Sequence, residues 1–210
     1  MSRIANMSVA EMREKLARAA QSLFLEKGYA QTEMSDIAQR AGVSRSTVYR
    51  HFSDKAPLAF IAAQTLLIEW TEKAMFDTTA IGLSGYEKLE RFSGRLIEEL
   101  CENPAMPRFL AEFDLTFRGE YPDIAEAAQF KSAISTSLSR TAQFTYEGIA
   151  DRSIRPMKDP MFWVSALMNT ILGLGQRMLP RTEHYQEEQN VEAAVIIRSV
   201  CTVLLQSMRT

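Results

Sequence analysis

The stretch Thr32–Lys55, TEMSDIAQRAGVSRSTVYRHFSDK, decides the fold of this chain. Apolar residues recur at helical spacing in its first half: Ile37, Ala38 and Ala41. This pattern predicts a short helix for which Thr32 can act as the N-cap. Gly42 ends that helix, because glycine enters a left-handed turn at little steric cost. A second short helix follows, and Ser44 is placed to cap it.

The second short helix presents an outward face that is rich in hydrogen-bond donors and poor in acids: Arg45, Ser46, Thr47, Tyr49, Arg50 and His51. Val48 and Phe52 lie on its inner face. Arginine can bind guanine through two parallel hydrogen bonds, and serine and threonine can reach base edges or phosphates. Lys55, just beyond the helix, adds a candidate phosphate contact. Two short helices joined by a tight glycine turn predict a helix-turn-helix that binds DNA.

Over about residues 10–70 the sequence resembles the TetR family of bacterial transcriptional regulators. The residues that carry the resemblance are Gly28-Tyr29, Thr32, Ile37-Ala38, Ala41-Gly42-Val43-Ser44, Thr47, Tyr49, His51-Phe52 and Lys55. In that family, the positions of Thr47, Tyr49 and Lys55 hold the DNA backbone. The positions of Arg45, Ser46 and Arg50 lie where base edges are read. With Thr32 and His51 added, these residues are the predicted DNA-binding set.

The family resemblance also implies a homodimer of nine-helix subunits that binds near-palindromic operator DNA and is released by a small molecule. Two positions depart from the family pattern. Glu33 suits the positive end of its helix but would repel a phosphate, which puts a phosphate contact at that position in doubt. Ala56 stands where the family commonly has an acid.

Helical periodicity continues along nearly the whole chain, without convincing period-2 alternation. We therefore predict an all-α fold of about nine helices. An N-terminal three-helix DNA-binding domain is predicted over residues 8–55, with the motif itself at 33–52 and a connecting helix that continues to about residue 76. A larger helical domain for effector binding and dimerisation is predicted over 77–210. The first helix has a candidate capping box at Ser8 and Glu11, and Gly28 is its candidate left-handed cap.

The C-terminal part of the chain suggests an oligomer. The last predicted helix, within residues 188–208, is apolar on more than one face, so it must be covered on two sides. With the helix at about 158–179 it predicts a four-helix homodimer interface, the alternative being the deep core of a monomer. Aromatic residues at Phe113, Phe117 and Trp163 are candidates to line a pocket for a small apolar or amphipathic effector, although aromatic residues at helical spacing more often belong simply to the core.

Charge and composition narrow the functional classes. Residues 1–60 hold nine Lys/Arg against six Asp/Glu, whereas the whole chain carries a formal charge of −2. A basic N-terminal module on an acidic body fits a protein that meets phosphates at one end. Cys101 and Cys201 have no metal-ligand spacing and are expected to be inert, and neither a metal nor a cofactor is predicted. The polar loop around His184 is expected to be solvated.

Three further expectations follow from what the sequence lacks. The start shows no apolar signal-peptide core and residues 161–175 are too short to span a membrane, so we expect a cytoplasmic protein with no membrane partner. No catalytic triad, phosphate loop or nucleotide-binding motif is visible, so an enzyme is the weaker alternative. A helical ligand-binding or adaptor protein with a vestigial helix-turn-helix is a second alternative, and the donor-rich face from Arg45 to His51 argues against it.

Overall fold

The computed structural model describes residues 7–210, and its architecture confirms the predicted all-α fold. The helices in chain order are α1 (Val9–Lys27), α2 (Met34–Ala41), α3 (Arg45–His51), α4 (Ala56–Phe76), α5 (Gly85–Glu102), α6 (Ala105–Thr116), α7 (Ala125–Asp151), α8 (Pro160–Met178), α9 (Thr182–Gln189) and α10 (Ala193–Met208). A 3-10 turn, Leu179–Arg181, joins α8 to α9. Within residues 7–210, extended pairing is limited to one isolated bridge between Ile154 and Arg209.

The residues group into two compact units. The first unit consists of the described residues up to Leu66 together with Phe109–Lys131. The second unit consists of Leu67–Arg108 and Ser132–Thr210. Helices α4, α6 and α7 each contribute residues to both units. The boundaries expected from sequence, 8–55 and 77–210, remain predictions.

Helix α1 begins as its sequence predicts. The Ser8 hydroxyl accepts from the Glu11 amide at 3.2 Å, and the Glu11 carboxylate accepts from the Ser8 amide at 2.7 Å. These two bonds satisfy amides at the beginning of the helix. Hydrogen bonding of the Glu11 carboxylate, first to the Ser8 amide and then to the Ser8 hydroxyl, lowers the pKa of the Glu11 carboxyl. Gly28 ends the helix with φ 87° and ψ 164°. That is a positive-φ conformation, but it is not the left-handed helical one that we predicted.

Helices α2 and α3 form the predicted helix-turn-helix. Gly42 has the left-handed conformation, with φ 64° and ψ 39°, and its amide and that of Val43 close the turn onto α2 carbonyls. Ser44 is the N-cap of α3, as predicted. The predicted N-cap of α2 is wrong: Glu33 occupies that position, and its amide donates to the Asp36 carboxylate at 2.9 Å. The Lys27 ammonium and this amide both hold the pKa of Asp36 below its usual range.

The core of the first unit is aromatic. Phe24 of α1 stacks on Phe109 of α6, with ring centroids 5.4 Å apart. Phe60 of α4 is fully buried and contacts four further rings: Phe113, Phe117, Tyr121 and Phe130. Edge and tilted contacts of this kind add to the stabilisation that burial gives. The cluster supports α1 and α4, which flank the helix-turn-helix in the chain.

In the second unit, α10 buries one stripe, consisting of Ala193, Ile197, Cys201, Leu205 and Met208. The unit contains a helix that we did not predict: His184 lies in α9, where a solvated loop was expected, so the described chain has ten α-helices. Tyr185 is the buried residue of α9, and Asn190 ends it in the left-handed conformation. No single helix in the described chain is both long and apolar enough to cross a membrane; only the bent pair Pro160–Gln189 and Ala193–Met208 meets those criteria jointly.

Candidate nucleic-acid interface

The outward face of α3 is open to solvent. Its exposed members are Arg45, Ser46, Tyr49 and Arg50, while Thr47 and His51 are half-buried. Tyr49 is 55% exposed, which is a high value for a ring of this size. Val48 and Phe52 are buried, as predicted, and they anchor the opposite face of the helix. The structure thus brings six of the eight predicted DNA-binding residues together on one short helix.

Hydroxyl groups organise the beginning of α3. The Ser44 hydroxyl accepts from the Thr47 amide at 3.1 Å, and it also contacts the hydroxyls of Ser46 (2.8 Å) and Thr47 (2.9 Å). This network fixes the rotamers of the two side chains that follow the cap. Arg45 and Ser46 are exposed at the beginning of α3, where the positive end of the helix dipole favours anions.

The basic residues of the module fall into two groups. Five of them are engaged inside the first unit: Arg13 with Glu126, Arg18 with Glu14, Lys27 with Asp36, Arg40 with Glu26, and Lys55 with two backbone carbonyls. Lys15, Arg45 and Arg50 make no hydrogen bond or ion pair to any residue between 7 and 210; the two arginines are exposed, whereas Lys15 is half-buried. The exposed cations of the module that have no partner within residues 7–210 therefore lie on α3.

Lys55 has a structural position that the sequence did not reveal. Its ammonium donates to the carbonyls of Tyr29 (2.8 Å) and Thr32 (2.9 Å) and lies 4.3 Å from the centre of the Tyr29 ring. Burial lowers the pKa of this ammonium below its usual value. Two of its three protons are thus committed to the turn between α1 and α2. The predicted phosphate contact of Lys55 remains a prediction.

Thr32 is likewise turned inward. Its side chain is fully buried, and its hydroxyl donates to the Gly28 carbonyl at 2.7 Å. The hydroxyl therefore helps to close the turn between α1 and α2, and Thr32 stands apart from the exposed face of α3. The predicted DNA contact of Thr32 remains a prediction.

The same turn is held by a carboxylate from α6. Glu112 accepts from the Tyr29 amide at 2.7 Å and comes so close to Gly28 that a Cβ there would lie 2.6 Å from its Oε1. Gly28 is therefore required for two reasons, its positive φ and the close approach of Glu112. Nothing in the single sequence signals this contact, because the two residues are more than 80 positions apart.

A cleft of about 420 Å³ lies beside the exposed face of α3. It is lined by Thr32, Glu33, Met34, Ser35, Arg45, Tyr49, Ser53, Asp54 and Lys55. Glu33 is exposed, so its negative charge faces the space that a phosphate near Tyr49 would enter. This position agrees with the expectation from the sequence that Glu33 would repel a phosphate.

His51 closes α3 next to two arginines. Its pKa is held below the usual value, first by burial and then by the positive charges of Arg50 and Arg13. The imidazole is therefore neutral at pH 7. It can donate a hydrogen bond or take up a proton when a phosphate approaches.

The predicted effector-pocket residues belong to different units. Phe113 and Phe117 lie together in the aromatic core of the first unit, with ring centroids 4.9 Å apart. Trp163 belongs to the second unit, where it contacts Phe162. The second unit also has a cleft of about 610 Å³ that sequence reasoning missed, with Cys101, Arg108, Arg181 and His184 among its lining residues. Pocket lining by Phe113, Phe117 and Trp163 remains a prediction.

Other kinds of site have little support within residues 7–210. No group of three or more His, Cys, Asp or Glu side chains there is arranged to hold a metal ion. Both cysteines are free thiols. Burial raises the pKa of Cys201 to about 11 and also raises that of Cys101. Neither thiol is therefore activated as a nucleophile at neutral pH.

A helix-turn-helix with an exposed, cationic second helix, attached to an all-helical body, defines a class of DNA-binding regulatory proteins. A family model described as "Bacterial regulatory proteins, tetR family" matches residues 16–60. The chain is 44% identical over 48 residues to the transcriptional regulator TtgR of Pseudomonas putida, and 48% identical over 46 residues to the transcriptional repressor BepR of Brucella suis. The two alignments cover 23% and 22% of both partners' lengths, so the match spans less than a quarter of these curated relatives.

The fold agreement extends over the whole chain. A solved structure of the transcriptional regulator FadR from Bacillus subtilis, in complex with stearoyl-CoA, superposes with a TM-score of 0.68 at 18% identity. The superposition covers 94% of this chain and all of that one. The N-terminal module therefore matches the TetR family of bacterial regulatory proteins in sequence, over residues 16–60, and the chain shares its overall fold with the FadR structure.

Proposed function

We propose that this protein is a sequence-specific DNA-binding transcriptional regulator, a repressor whose binding to operator DNA is released by a small-molecule effector. One observation carries the proposal: Arg45 and Arg50 project from the exposed face of α3, and neither is engaged by an acceptor within residues 7–210. Arginines held in this way on a recognition helix can bind guanine edges in the major groove. The site acts by binding alone, and no enzymatic reaction is proposed for it.

The DNA-binding residues of the proposal are those that share this surface. Arg45, Ser46 and Arg50 would contact bases, and Thr47, Tyr49 and His51 would contact the backbone. The surface is small, since α3 has only seven residues. A single copy gives few contacts, so a dimer that contacts two half-sites about 34–36 Å apart, or a multiple of that, would supply the missing affinity. Such an operator would be near-palindromic double-stranded DNA.

The proposed homodimer uses α8 and α10. Large apolar side chains on these two helices remain exposed in the single chain: Phe162 (60%), Val195 (55%), Val200 (39%) and Val203 (64%). The buried stripe of α10 lies on other positions, so the helix is apolar on two faces, as its sequence predicted. An exposed apolar face of this kind is typical of a subunit interface. Exchange of Val203 for aspartate should shift the sedimentation of the protein towards that of a monomer.

The proposed effector is a small apolar or amphipathic molecule bound by the helical body. The FadR structure with stearoyl-CoA supports this class, because it shows an acyl-CoA bound to a protein of the same fold. Release would follow if the effector binds better to a conformation that fits DNA poorly, with a coupling of about 1–3 kcal/mol. Because operator DNA is the proposed partner, the cytoplasm is the proposed location.

Selection of duplexes from a random-sequence pool tests the proposal. We expect the wild-type protein to enrich one near-palindromic sequence, and the double variant R45A/R50A to enrich none. Adding stearoyl-CoA to the complex with the enriched duplex then tests one effector of the proposed class. Failure of the wild-type protein to enrich any sequence would contradict the proposed function.

A further inference from the structure

The recognition helix α3 ends at a partly buried set of contacts that the sequence did not predict. Arg13 of α1 donates from Nη1 to the His51 carbonyl at 2.6 Å, and its guanidinium carbon lies 4.2 Å from the centre of the Phe52 ring. His51 is the last residue of α3, and the last carbonyls of a helix have no partner within it. Arg13 supplies such a partner and places a positive charge at the negative end of the helix.

Arg13 is itself held from a second side. Its Nη2 donates to Oε1 of Glu126, in the first turn of α7, at 2.5 Å. The Glu126 side chain is only 14% exposed, so its carboxylate depends on this partner for charge compensation. A planar guanidinium can satisfy both acceptors in one fixed geometry. The end of α3 is therefore fixed from both α1 and α7, within one compact unit.

The position of α3 depends on such external contacts. A helix of seven residues is too short to be stable by itself, and α3 buries Val48 as its main anchor. Paired hydrogen bonds from an arginine to a base weaken steeply when distance or angle departs from the optimum. A small rotation of α3 would thus reduce base recognition more than it reduces general attraction to phosphates.

We infer that Arg13, held by Glu126, is a positioning residue that sets the sequence specificity of the recognition helix without contacting DNA. The inference rests on the proposed function, because specificity has meaning only for a DNA reader. If it is right, loss of Arg13 reduces the preference for the operator sequence over other DNA, while the number of phosphate contacts stays the same. That number is given by the slope of log affinity against log salt concentration.

The experiment compares four variants with the wild-type protein: R13M, R13K, E126Q and R18M. R18M is the matched control, because Arg18 lies on the same helix and pairs only with Glu14 on the exposed surface. For each protein, dissociation constants are measured for the duplex enriched by the wild type and for a scrambled duplex, over a range of salt concentrations. Helical content and thermal unfolding are recorded in parallel.

We expect R13M to lose at least about tenfold in the ratio of the two dissociation constants, with an unchanged salt slope. The ratio for R13K should lie between those of R13M and the wild type. E126Q should lower the ratio less than R13M does, and R18M should have the wild-type ratio. If R13M does not fold, R13K and E126Q decide the matter, and a wild-type ratio in both overturns the inference.

Two other outcomes are informative. A folded R13M variant with undiminished discrimination overturns the inference and leaves the proposed function intact. A fall of the salt slope by about one for each protomer also overturns it, because Arg13 would then contact a phosphate directly. If the wild-type protein itself does not discriminate between the duplexes, the proposed function fails, and the inference fails with it.

Discussion

Two neighbouring regions of the first unit carry similar charges but use them differently. On α3, Arg45 and Arg50 project into solvent without an acceptor among residues 7–210. At the turn between α1 and α2, the charge of Lys55 is taken up by the carbonyls of Tyr29 and Thr32. Both regions line the same cleft. The difference teaches that the acceptors around a basic side chain, rather than its position in a motif, decide whether its charge is available to DNA.

The largest expected effect is at α3. Replacement of Arg45 or Arg50 by alanine should weaken binding to the enriched duplex by about 1–3 kcal/mol for each lost base contact, or roughly 5- to 150-fold. Specificity at the contacted base pair should relax at the same time. Electrophoretic mobility shift or fluorescence anisotropy measures both effects. R18A is the control, and equal loss in R18A would show that general charge, not the α3 surface, is responsible.

The Lys55→Met variant should lower the stability of the protein more than it weakens DNA binding. The Lys55 ammonium makes two charge-assisted hydrogen bonds to backbone carbonyls, so we expect the free energy of unfolding to fall by about 1–2 kcal/mol in the variant. The salt slope of DNA binding should change little. Urea denaturation and salt-titrated binding give the two quantities. A slope that falls by about one for each protomer, with unchanged stability, would instead show that Lys55 binds phosphate.

A smaller effect is expected at Glu33. Removing its charge in E33Q should strengthen DNA binding about two- to threefold at low salt, because a repulsion at the edge of the cleft is removed. The gain should disappear at high salt, where such interactions are screened. The dissociation constants of E33Q and of the wild type, measured on both duplexes at low and at high salt, test this expectation. A weaker affinity in E33Q would mean that the Glu33 carboxylate supports binding, for example through its contact with the Ser35 hydroxyl.

An effect as small as that of E33Q concerns pH. Because the pKa of His51 is lowered in the folded protein, its contribution to stability is fully present above the unfolded value near 6.5 and is lost as the pH falls below it. DNA phosphates favour the protonated form, so affinity should rise about two- to threefold between pH 7 and pH 5.5. H51Q should remove this pH dependence. The same pH profile in H51Q and wild type would assign the titration to another group.

Local sequence signals predicted the parts of the fold that depend on neighbours in the chain. The capping box of α1, the left-handed turn at Gly42, the Ser44 cap and the inward residues Val48 and Phe52 all follow from spacing within a few residues. The N-cap of α2 was misplaced by one residue, because the local pattern favoured Thr32 whereas Glu33 takes the position. The buried position of Thr32 is decided by its bond to the Gly28 carbonyl.

The remaining features depend on contacts between distant residues. Glu112 binds the Tyr29 amide, and Arg13 binds both His51 and Glu126, which are 38 and 113 positions away from it; a single sequence shows none of these pairings. Helix α9 was missed because it has no apolar period and buries only Tyr185. The one local signal for it was Asn190, a residue type that commonly ends helices in the left-handed conformation.

The most direct test of the account is a salt titration of wild-type binding to the enriched duplex and to its scrambled counterpart. The account predicts log affinity that falls steeply with log salt for both, with at least about a thousandfold preference for the enriched sequence at physiological salt. Equal and weak affinity for both duplexes at every salt concentration would contradict it, because the exposed arginines of α3 would then attract DNA without reading it.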